Sequence, residues 1–190
     1  LYELTFDSGI KTLAGAEHLW TLRLRTAGAE HVWTTAQIIE HGYPDGARPD
    51  SNRTVSMPHV GPVQFPGQPI LLDPYLLGAL LGDGCVRGGR IRFTSADADV
   101  VEQVRAAGER LGATLTHWGG YQYGFKNAAA LLHALAEYGV DALAHEKYVP
   151  REALWNDAPT RLALLQGLMD TDGSVSKKGS LSFATTSPGL

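Results

Sequence analysis

The chain has 190 residues, 44% of them hydrophobic, which suits one domain of ordinary size or two small ones. No apolar run is long enough to cross a membrane, and a single cysteine, Cys85, excludes an internal disulfide, so we expect a cytoplasmic protein without membrane association. The net charge of −4 argues mildly against a dedicated nucleic-acid binder, although residues 74–190, with 11 basic and 12 acidic side chains, can carry a local basic face.

The first part of the chain has the pattern of short β-strands. Apolar and polar residues alternate from Tyr2 to Phe6, and the sequence DSG at 7–9 predicts a turn before the next strand. We therefore predict that residues 1–40 are rich in β-structure. Residues 42–70 contain many prolines and glycines, which predicts a linker or an irregular crossing segment.

A helix and a strand are predicted after this linker. Asp73 precedes a proline, and this pair starts a helix because Asp caps free N–H groups and Pro fits the first turn. The helix YLLGALLG is followed by GGRIRFTS, which reads as a strand. Its alternation places Arg90 and Arg92 on one face and Ile91 and Phe93 on the other.

Three further elements complete this region. The segment DADVVEQVRAAGERLG predicts an amphipathic helix that stops at Gly112, and ATLTHWGGYQYGFK predicts a hairpin that turns at Gly119-Gly120. The segment NAAALLHALAEYG predicts a helix capped by Asn127 and ended at Gly139. The predicted order is helix, strand pair, helix, strand pair, helix.

The pattern then restarts. Pro159 opens a helix that ends at Asp172, 89 residues after Asp83 ends the earlier one. The following GSVSKKGSLSFATTSPGL repeats the arrangement of GCVRGGRIRFTSADADV, with Leu181 and Phe183 at the apolar strand positions. We interpret this as a duplicated unit whose second copy stops after its first hairpin.

Small residues lie on one face of each predicted repeat helix. Gly78 and Gly82 stand four positions apart in the first helix, as do Gly167 and Thr171 in the second, and such positions share a face. Glycine inside a helix costs about 1 kcal/mol relative to alanine, so its presence in both copies indicates a packing reason. Small side chains let two helix backbones approach closely, and we predict that these helices pack together.

This packing would bring together the two carboxylates that end the helices. A single Asp-Gly after a helix usually marks only a turn, but the same ending in both copies of a repeat indicates a paired site. Asp83 and Asp172 would repel each other unless they shared a proton or a cation. Mg²⁺ prefers carboxylate oxygens together with water and phosphate oxygens, and it can activate water for phosphodiester hydrolysis.

These helix ends also resemble a known family. The segments LLGALLGDG at 76–84 and LQGLMDTDG at 165–173 resemble the two signature motifs of the LAGLIDADG (dodecapeptide) homing endonucleases. The resemblance implies an αββαββα unit in each repeat and double-stranded DNA as the substrate. It also implies that Asp83 and Asp172 are the catalytic, Mg²⁺-binding acids. Asp170 stands at an earlier acidic position of the motif, and we do not expect it to be a ligand.

A lysine and a histidine match further blocks of related families. HEKYVP from His145 resembles a block of the intein-borne members, which implies that Lys147 assists near the active site by stabilising phosphate charge or polarising water. An ordinary surface lysine is the alternative. The stretch YELTFDSGIKTLAGAEHLWTL resembles the self-splicing (Hint) domain of inteins, with His18 as the histidine that polarises the scissile peptide bond. A structural histidine in a strand is the alternative.

The Hint resemblance is incomplete. Gly15 stands where the family often has threonine, no Cys or Ser nucleophile opens the chain, and no His-Asn pair closes it. We therefore expect an interior fragment, unable to splice by itself, of a parent joined to the exteins of a host protein. We also expect little cleavage by the fragment, because its second repeat lacks the later strands and helices.

DNA contacts are expected from the strands, because two-stranded ribbons fit the major groove, where arginine reads guanine and grips phosphate. A solvated sheet face is the alternative. The aromatic residues Trp118, Tyr121 and Tyr123 are predicted to pack within the hairpin and not to stack on bases. The predicted DNA-binding residues are Arg87, Arg90, Arg92, Lys126, Lys177 and Lys178.

The sequence thus predicts an α+β protein in three parts. Residues 1–60 are a β-rich partial Hint domain and linker, 70–155 a first LAGLIDADG repeat, and 156–190 a truncated second repeat. We expect a monomeric, Mg²⁺-dependent endonuclease region of an intein that cuts double-stranded DNA at a long target. The alternative is a LAGLIDADG module that binds DNA or RNA without cleaving it. A splicing domain alone conflicts with both repeats.

Overall fold

A computed structural model of the chain describes residues 1–6, 8–24, 29–42 and 55–190. These residues form two compact units, Leu1–Gly61 and Pro62–Leu190, which together have the predicted α+β composition. Within the described ranges, no helix has the length and apolar character needed to span a membrane.

The first unit is built mainly from antiparallel strands, as predicted. Its strands are β1 (Tyr2–Thr5), β2 (Lys11–Ala14), β3 (Leu19–Leu24), β4 (Glu30–Thr34) and β5 (Val55–Ser56). β1 pairs with β2, and a separate sheet has the order β4-β3-β5. Of the predicted DSG turn, Asp7 lies outside the described residues, as does the 43–54 part of the predicted linker.

A short helix in the first unit was not predicted. α1 (Thr35–His41) follows β4 directly. The Thr34 hydroxyl accepts a hydrogen bond from Gln37 N at 3.1 Å, and the Gln37 side chain accepts one from Thr34 N at 2.8 Å. This reciprocal capping satisfies free N–H groups at the start of the helix. The Thr-Thr-Ala-Gln sequence encodes it, but we had interpreted this part of the chain as β-structure.

The second unit has the predicted order of helices and strand pairs. Its elements are α2 (Pro74–Gly82), β6 (Gly84–Arg87), β7 (Arg90–Thr94), α3 (Ala98–Glu109), β8 (Thr114–Gly119), β9 (Gln122–Lys126), α4 (Ala129–Glu137), α5 (Arg151–Leu154), α6 (Ala158–Asp172), β10 (Gly173–Val175) and β11 (Leu181–Phe183). Asp73 caps α2 as predicted, accepting a hydrogen bond from Leu76 N at 3.1 Å.

A four-stranded antiparallel sheet with the order β6-β7-β9-β8 has one buried and one exposed face. Ile91 and Phe93 are fully buried in the core with residues of α2, α3 and α4, whereas Arg90 and Arg92 are exposed. The alternation of β7 therefore positions its arginines as predicted. Because α2, α3 and α4 pack on the apolar face, the other face of the sheet is left open.

The predicted cap of α4 is wrong. Asn127 does not cap the helix, because its φ of 53° places it in the left-handed region, and Ala128 precedes the helix without a side-chain hydrogen bond. Asparagine tolerates this backbone conformation better than most residues, so Asn127 serves the turn after β9. The predicted stop at Gly139 is confirmed, since its φ is 63°.

The second copy of the repeat follows the first in detail. Ser174 pairs with Ser182 between β10 and β11, as Cys85 pairs with Arg92 between β6 and β7. The turn that starts α3 is also repeated. Asp99 N donates to the Asp97 side chain at 2.8 Å, and Gly189 N donates to the Ser187 hydroxyl at 3.0 Å.

Coverage of the two hairpins differs. Leu181 is 70% exposed, whereas Ile91 at the matching position is 1% exposed. The helices α3 and α4 cover β6 and β7, but no helix of the described residues covers β10 and β11 in the same way. The apolar side of the second hairpin is therefore partly open, since Leu181 is exposed while Phe183 packs against the core.

Candidate active site

The candidate site is built on the contact between α2 and α6. A Cβ atom on Gly78 would collide with the carbonyl oxygen of Leu164 and would lie 3.1 Å from Gly167 Cα. A Cβ atom on Gly167 would in turn collide with the carbonyl oxygen of Tyr75. The two helix backbones therefore touch at these glycines, and the predicted helix packing is confirmed.

The same contact continues to the C-terminal ends of both helices. The Thr171 side chain occupies the space that a Cβ on Gly82 would need, and Asp172 Oδ2 lies 3.3 Å from that Cβ position. Asp172 ends α6 and Asp83 directly follows Gly82. Close packing of small residues thus brings the Asp172 carboxylate to the residue that precedes Asp83.

The negative charge of Asp172 affects the ionisation of Asp83. Partial burial is the largest cause that raises the pKa of Asp83, and the negative charge of Asp172 raises it further. The positive charge of Lys147 acts in the opposite direction. Asp83 is therefore harder to ionise than an ordinary aspartate, and a cation between the two carboxylates would relieve the repulsion.

Lys147 contacts the end of α2. It is not an ordinary surface lysine, because only 6% of it is exposed. Its Nζ lies 2.8 Å from the Leu81 carbonyl oxygen and 2.7 Å from that of Gly84. The carbonyl oxygens of Leu80 and Gly82 are 3.2 and 3.3 Å away. A helix cannot satisfy its last carbonyl groups by itself, so the ammonium serves as their donor.

The pKa of Lys147 is lowered. Burial is the largest cause, and the negative character of Cys85, Asp172 and Asp83 opposes it. The lysine nevertheless has acceptors for all three of its N–H groups. It therefore supports the helix end that carries Asp83 and does not project freely toward solvent.

The last residues of the chain hold the segment around Lys147. The Ser187 hydroxyl donates to the Lys147 carbonyl oxygen, and Val149 N donates to the Gly189 carbonyl oxygen at 3.3 Å. Beside this contact is an open cleft of about 390 Å³, lined by Lys147 and Asp172 among others. The cleft gives solvent and small ligands access to the end of α6.

A polar pair across the helix contact was missed by the sequence interpretation. The Tyr75 hydroxyl donates to Asp170 Oδ2 at 2.9 Å. Burial and this hydrogen bond raise the pKa of Tyr75. The repeat offset of 89 residues places Leu164 at the position of Tyr75 and Asp170 at the position of Leu81. The pair of Leu81 and Leu164 is therefore apolar, whereas the equivalent pair of Tyr75 and Asp170 is polar. This difference is visible in the sequence only once the two helices are known to pack together. Asp170 bonds across the helices, and the expectation that it is not a metal ligand stays a prediction.

The predicted DNA-binding cations occupy two places in the second unit. All of them are exposed. Arg87 pairs with Arg90 and lies on the open face of the four-stranded sheet with Arg92 and Lys126, whereas Lys177 and Lys178 lie in the turn between β10 and β11. His18 belongs to the first unit. Its ring lies 4.4 Å from that of Trp20, and its carbonyl oxygen accepts a hydrogen bond from Thr35 N at 3.0 Å.

The donor set suits a hard divalent cation. Asp83 and Asp172 supply carboxylate oxygens, and across the described ranges no group of three or more His, Cys, Asp or Glu side chains converges to hold a metal. A cation held by two carboxylates takes its other ligands from water or substrate. Mg²⁺ commonly binds in this way, with one or two carboxylates and phosphate oxygens.

Comparisons with known proteins agree with this geometry. Residues 73–152 match the model of the LAGLIDADG-like domain, which supports a relationship with the homing endonucleases. The chain is also similar, with 28% identity over 213 residues, to the replicative DNA helicase DnaB of Mycobacterium intracellulare. That similarity covers 100% of the present chain and 32% of the relative, so the chain spans about a third of the relative's length.

Replacing Gly78 by alanine should destabilise the second unit, because the added methyl group meets a backbone carbonyl that cannot move aside. We expect the free energy of unfolding to fall by about 2 kcal/mol or more. Urea denaturation measures this. Gln166→Ala, an exposed change beside Gly167, is the control and should change the stability by less than about 0.5 kcal/mol. Equal stability of both variants would refute the close contact.

Replacing Asp172 by asparagine should lower the pKa of Asp83, because one source of repulsion is removed while burial remains. An NMR titration of the Asp83 carboxyl carbon measures the change. A carboxyl group loses its affinity for cations when it is protonated, as the pH falls through its pKa. Because the pKa of Asp83 is raised in the folded protein, Mg²⁺ binding should weaken at a higher pH than it would for a free aspartate. Asp99→Asn, a change on the surface of α3, should leave the titration unchanged.

Replacing Lys147 by methionine should destabilise the second unit by about 2–3 kcal/mol, since four carbonyl groups lose a charged donor. Methionine keeps the length of the apolar stem. The matched control is Lys126→Met, on the open sheet face, which should have little effect. Thermal unfolding of both variants distinguishes a buried supporting lysine from an exposed one.

Proposed function

We propose that this chain, with its LAGLIDADG-like domain at residues 73–152, is the endonuclease region of an intein. In this proposal it hydrolyses phosphodiester bonds of double-stranded DNA at a long target site and depends on Mg²⁺. One observation carries the proposal: the α2–α6 contact, which brings Asp172 to the end of the helix that leads into Asp83. A turn-forming role for either aspartate alone would not require this contact.

Asp83 and Asp172 would hold the Mg²⁺ ion, and water and the scissile phosphate would complete its coordination. The bound ion would supply an activated water and stabilise the leaving oxygen. The protein contributes the position of both carboxylates, which the helix backbones fix. Because both acids come from one chain, a monomer is sufficient.

Lys147 acts in this proposal as a positioning residue. Its ammonium is occupied by the carbonyl groups at the end of α2, so it acts on Asp83 through the helix end and through its charge. The positive charge favours the ionised form of Asp83, which is the form that binds a cation. This role differs from direct stabilisation of the phosphate, which was the expectation from sequence resemblance.

The open face of the four-stranded sheet is the proposed DNA contact. Its cations, Arg87, Arg90, Arg92 and Lys126, project from strands that contain no Asp or Glu. Such a face attracts the phosphate backbone and presents arginine to guanine in the major groove. Lys177 and Lys178 in the second hairpin would extend the same contact along the DNA.

An intein context is the finer part of the proposal. The first unit is rich in strands and carries His18 ahead of β3, as the resemblance to a splicing domain implies. Similarity that spans the whole chain but only a third of a larger protein, named as a helicase, fits a segment inserted into a host. Splicing would then join the exteins of that host, with His18 polarising the scissile peptide bond.

The main rival is a LAGLIDADG-like module that binds DNA or RNA without cleaving it. A binding module has no need of two neighbouring carboxylates at a place where burial and the charge of Asp172 raise the pKa of Asp83. Retention of both Asp83 and Asp172 therefore favours a nuclease. A cleavage assay separates the two functions.

The test uses a pool of supercoiled plasmids with randomised inserts, incubated with Mg²⁺ and the intact parent that contains this chain, or with variants of that parent. Asp83→Asn and Asp172→Asn should each reduce cleavage by about 100-fold or more, because asparagine keeps the shape but removes the charge that holds the cation. The double variant should lose about as much as either single one. Calorimetric titration with Mg²⁺ should show binding by the unaltered protein and no binding by the asparagine variants.

Gel-shift binding to the same DNA provides the control. Both asparagine variants should retain most of their DNA binding, whereas Arg92→Ala should weaken it and flatten its dependence on salt. DNA binding without Mg²⁺ binding or cleavage by the unaltered parent would support the rival. Full cleavage by Asp172→Asn would show that another carboxylate, such as Asp170, holds the metal.

A further inference from the structure

An aromatic side chain stands among the cations of the open sheet face. Trp118, at the end of β8, is 48% exposed. Its neighbour across the strands, Gly124, lies on the open face and pairs with Arg92 of β7. The indole is therefore flanked by arginine on a surface whose strands contain no carboxylate.

The Trp118 ring is held in place by β9. A Cβ atom on Gly124 would collide with the six-membered ring of the indole, so only glycine leaves room for the ring to pack on the strand backbone. The indole Nε1 donates to the Thr116 hydroxyl at 3.2 Å, and that hydroxyl donates to the Gly124 carbonyl oxygen at 2.8 Å. The pairing shifts register between His117 and Gly119, which marks a bulge at Trp118.

The predicted packing of Trp118 within the hairpin is confirmed, but the ring is only partly covered. One side of the ring packs on Gly124, but the other side faces solvent beside the arginines. A ring that is already fixed loses little conformational freedom when it binds a partner. Because its polar N–H group is used internally, the exposed part of the indole offers an apolar contact.

We propose that Trp118 reads thymine in the major groove of double-stranded DNA, through contact between the exposed side of its ring and the thymine methyl group. The inference rests on the proposed function, in which this sheet face binds DNA. In a duplex the base faces are stacked, so a sheet in the major groove meets base edges, and the thymine methyl is the apolar group there. Arg90 and Arg92 on β7, which is separated from β8 by β9, would supply the phosphate and guanine contacts that hold the ring against the groove.

The experiment begins with selection of bound sequences from a pool of short DNA duplexes with a randomised centre. The full chain is compared with Trp118→Ala, Trp118→Phe and the control Tyr121→Ala. Tyr121 is 64% exposed in the turn of the same hairpin. Trp118→Ala should lose a thymine preference that the unaltered chain and Tyr121→Ala share, while Trp118→Phe should keep part of it. Thermal unfolding checks that each variant is folded.

A second measurement isolates the methyl group. In the best selected duplex, each preferred thymine is replaced in turn by deoxyuridine, which lacks only that methyl. One replacement should weaken binding by the unaltered chain about three- to tenfold. Trp118→Ala should bind the two duplexes equally.

Several outcomes would overturn the proposal. A deoxyuridine effect that persists in Trp118→Ala would assign the methyl contact to another residue. Tighter binding of single-stranded DNA or RNA than of the duplex, lost in Trp118→Ala, would make the ring a stacking platform. If the unaltered chain selects no duplex and Arg92→Ala has no effect on binding, the proposed function fails together with this inference. Selection that survives while the thymine preference is unaltered in Trp118→Ala refutes this inference alone.

Discussion

The contact between the backbones of α2 and α6 is the constraint on which the candidate site depends. Gly78 and Gly167 permit an approach that any larger side chain would block. This approach fixes where both helices end, and hence where Asp83 and Asp172 lie. The repulsion between these acids opposes folding, so the packing of the two helices has to outweigh it. A site with stored electrostatic repulsion is suited to binding a cation.

The end of α2 is held by Lys147 as well as by the contact with α6. The Lys147 ammonium donates to four carbonyl oxygens at and just after the end of this helix. The Ser187 hydroxyl in turn donates to the Lys147 carbonyl oxygen. The charge of Lys147, the end of α2 and the position of Asp83 therefore depend on one cluster of contacts. The hydrogen bond between Tyr75 and Asp170 adds a polar contact to an otherwise apolar helix interface. It distinguishes the two repeats, because the matching positions, Leu164 and Leu81, are apolar.

Much of the fold was predictable because the second unit obeys local rules. Alternation in β7, the amphipathic pattern of α3 and the glycine stops each followed from residues close in sequence. The wrong cap at Asn127 and the missed helix α1 have a common cause. In both places a polar residue near an element boundary allows two local conformations, and neighbouring contacts choose between them.

The sequence by itself determined the paired helices, the small-residue face and the two acids that end them, because these features repeat at a fixed interval. Only the tertiary structure decided the environment of Lys147 and the partner of Tyr75, since both depend on residues more than 60 positions away. The position of Trp118 was also decided by tertiary structure. Its ring lies on the open face because Gly124, on the neighbouring strand, has no side chain to exclude it. Side-chain surroundings of this kind arise from packing between elements, which no local pattern encodes.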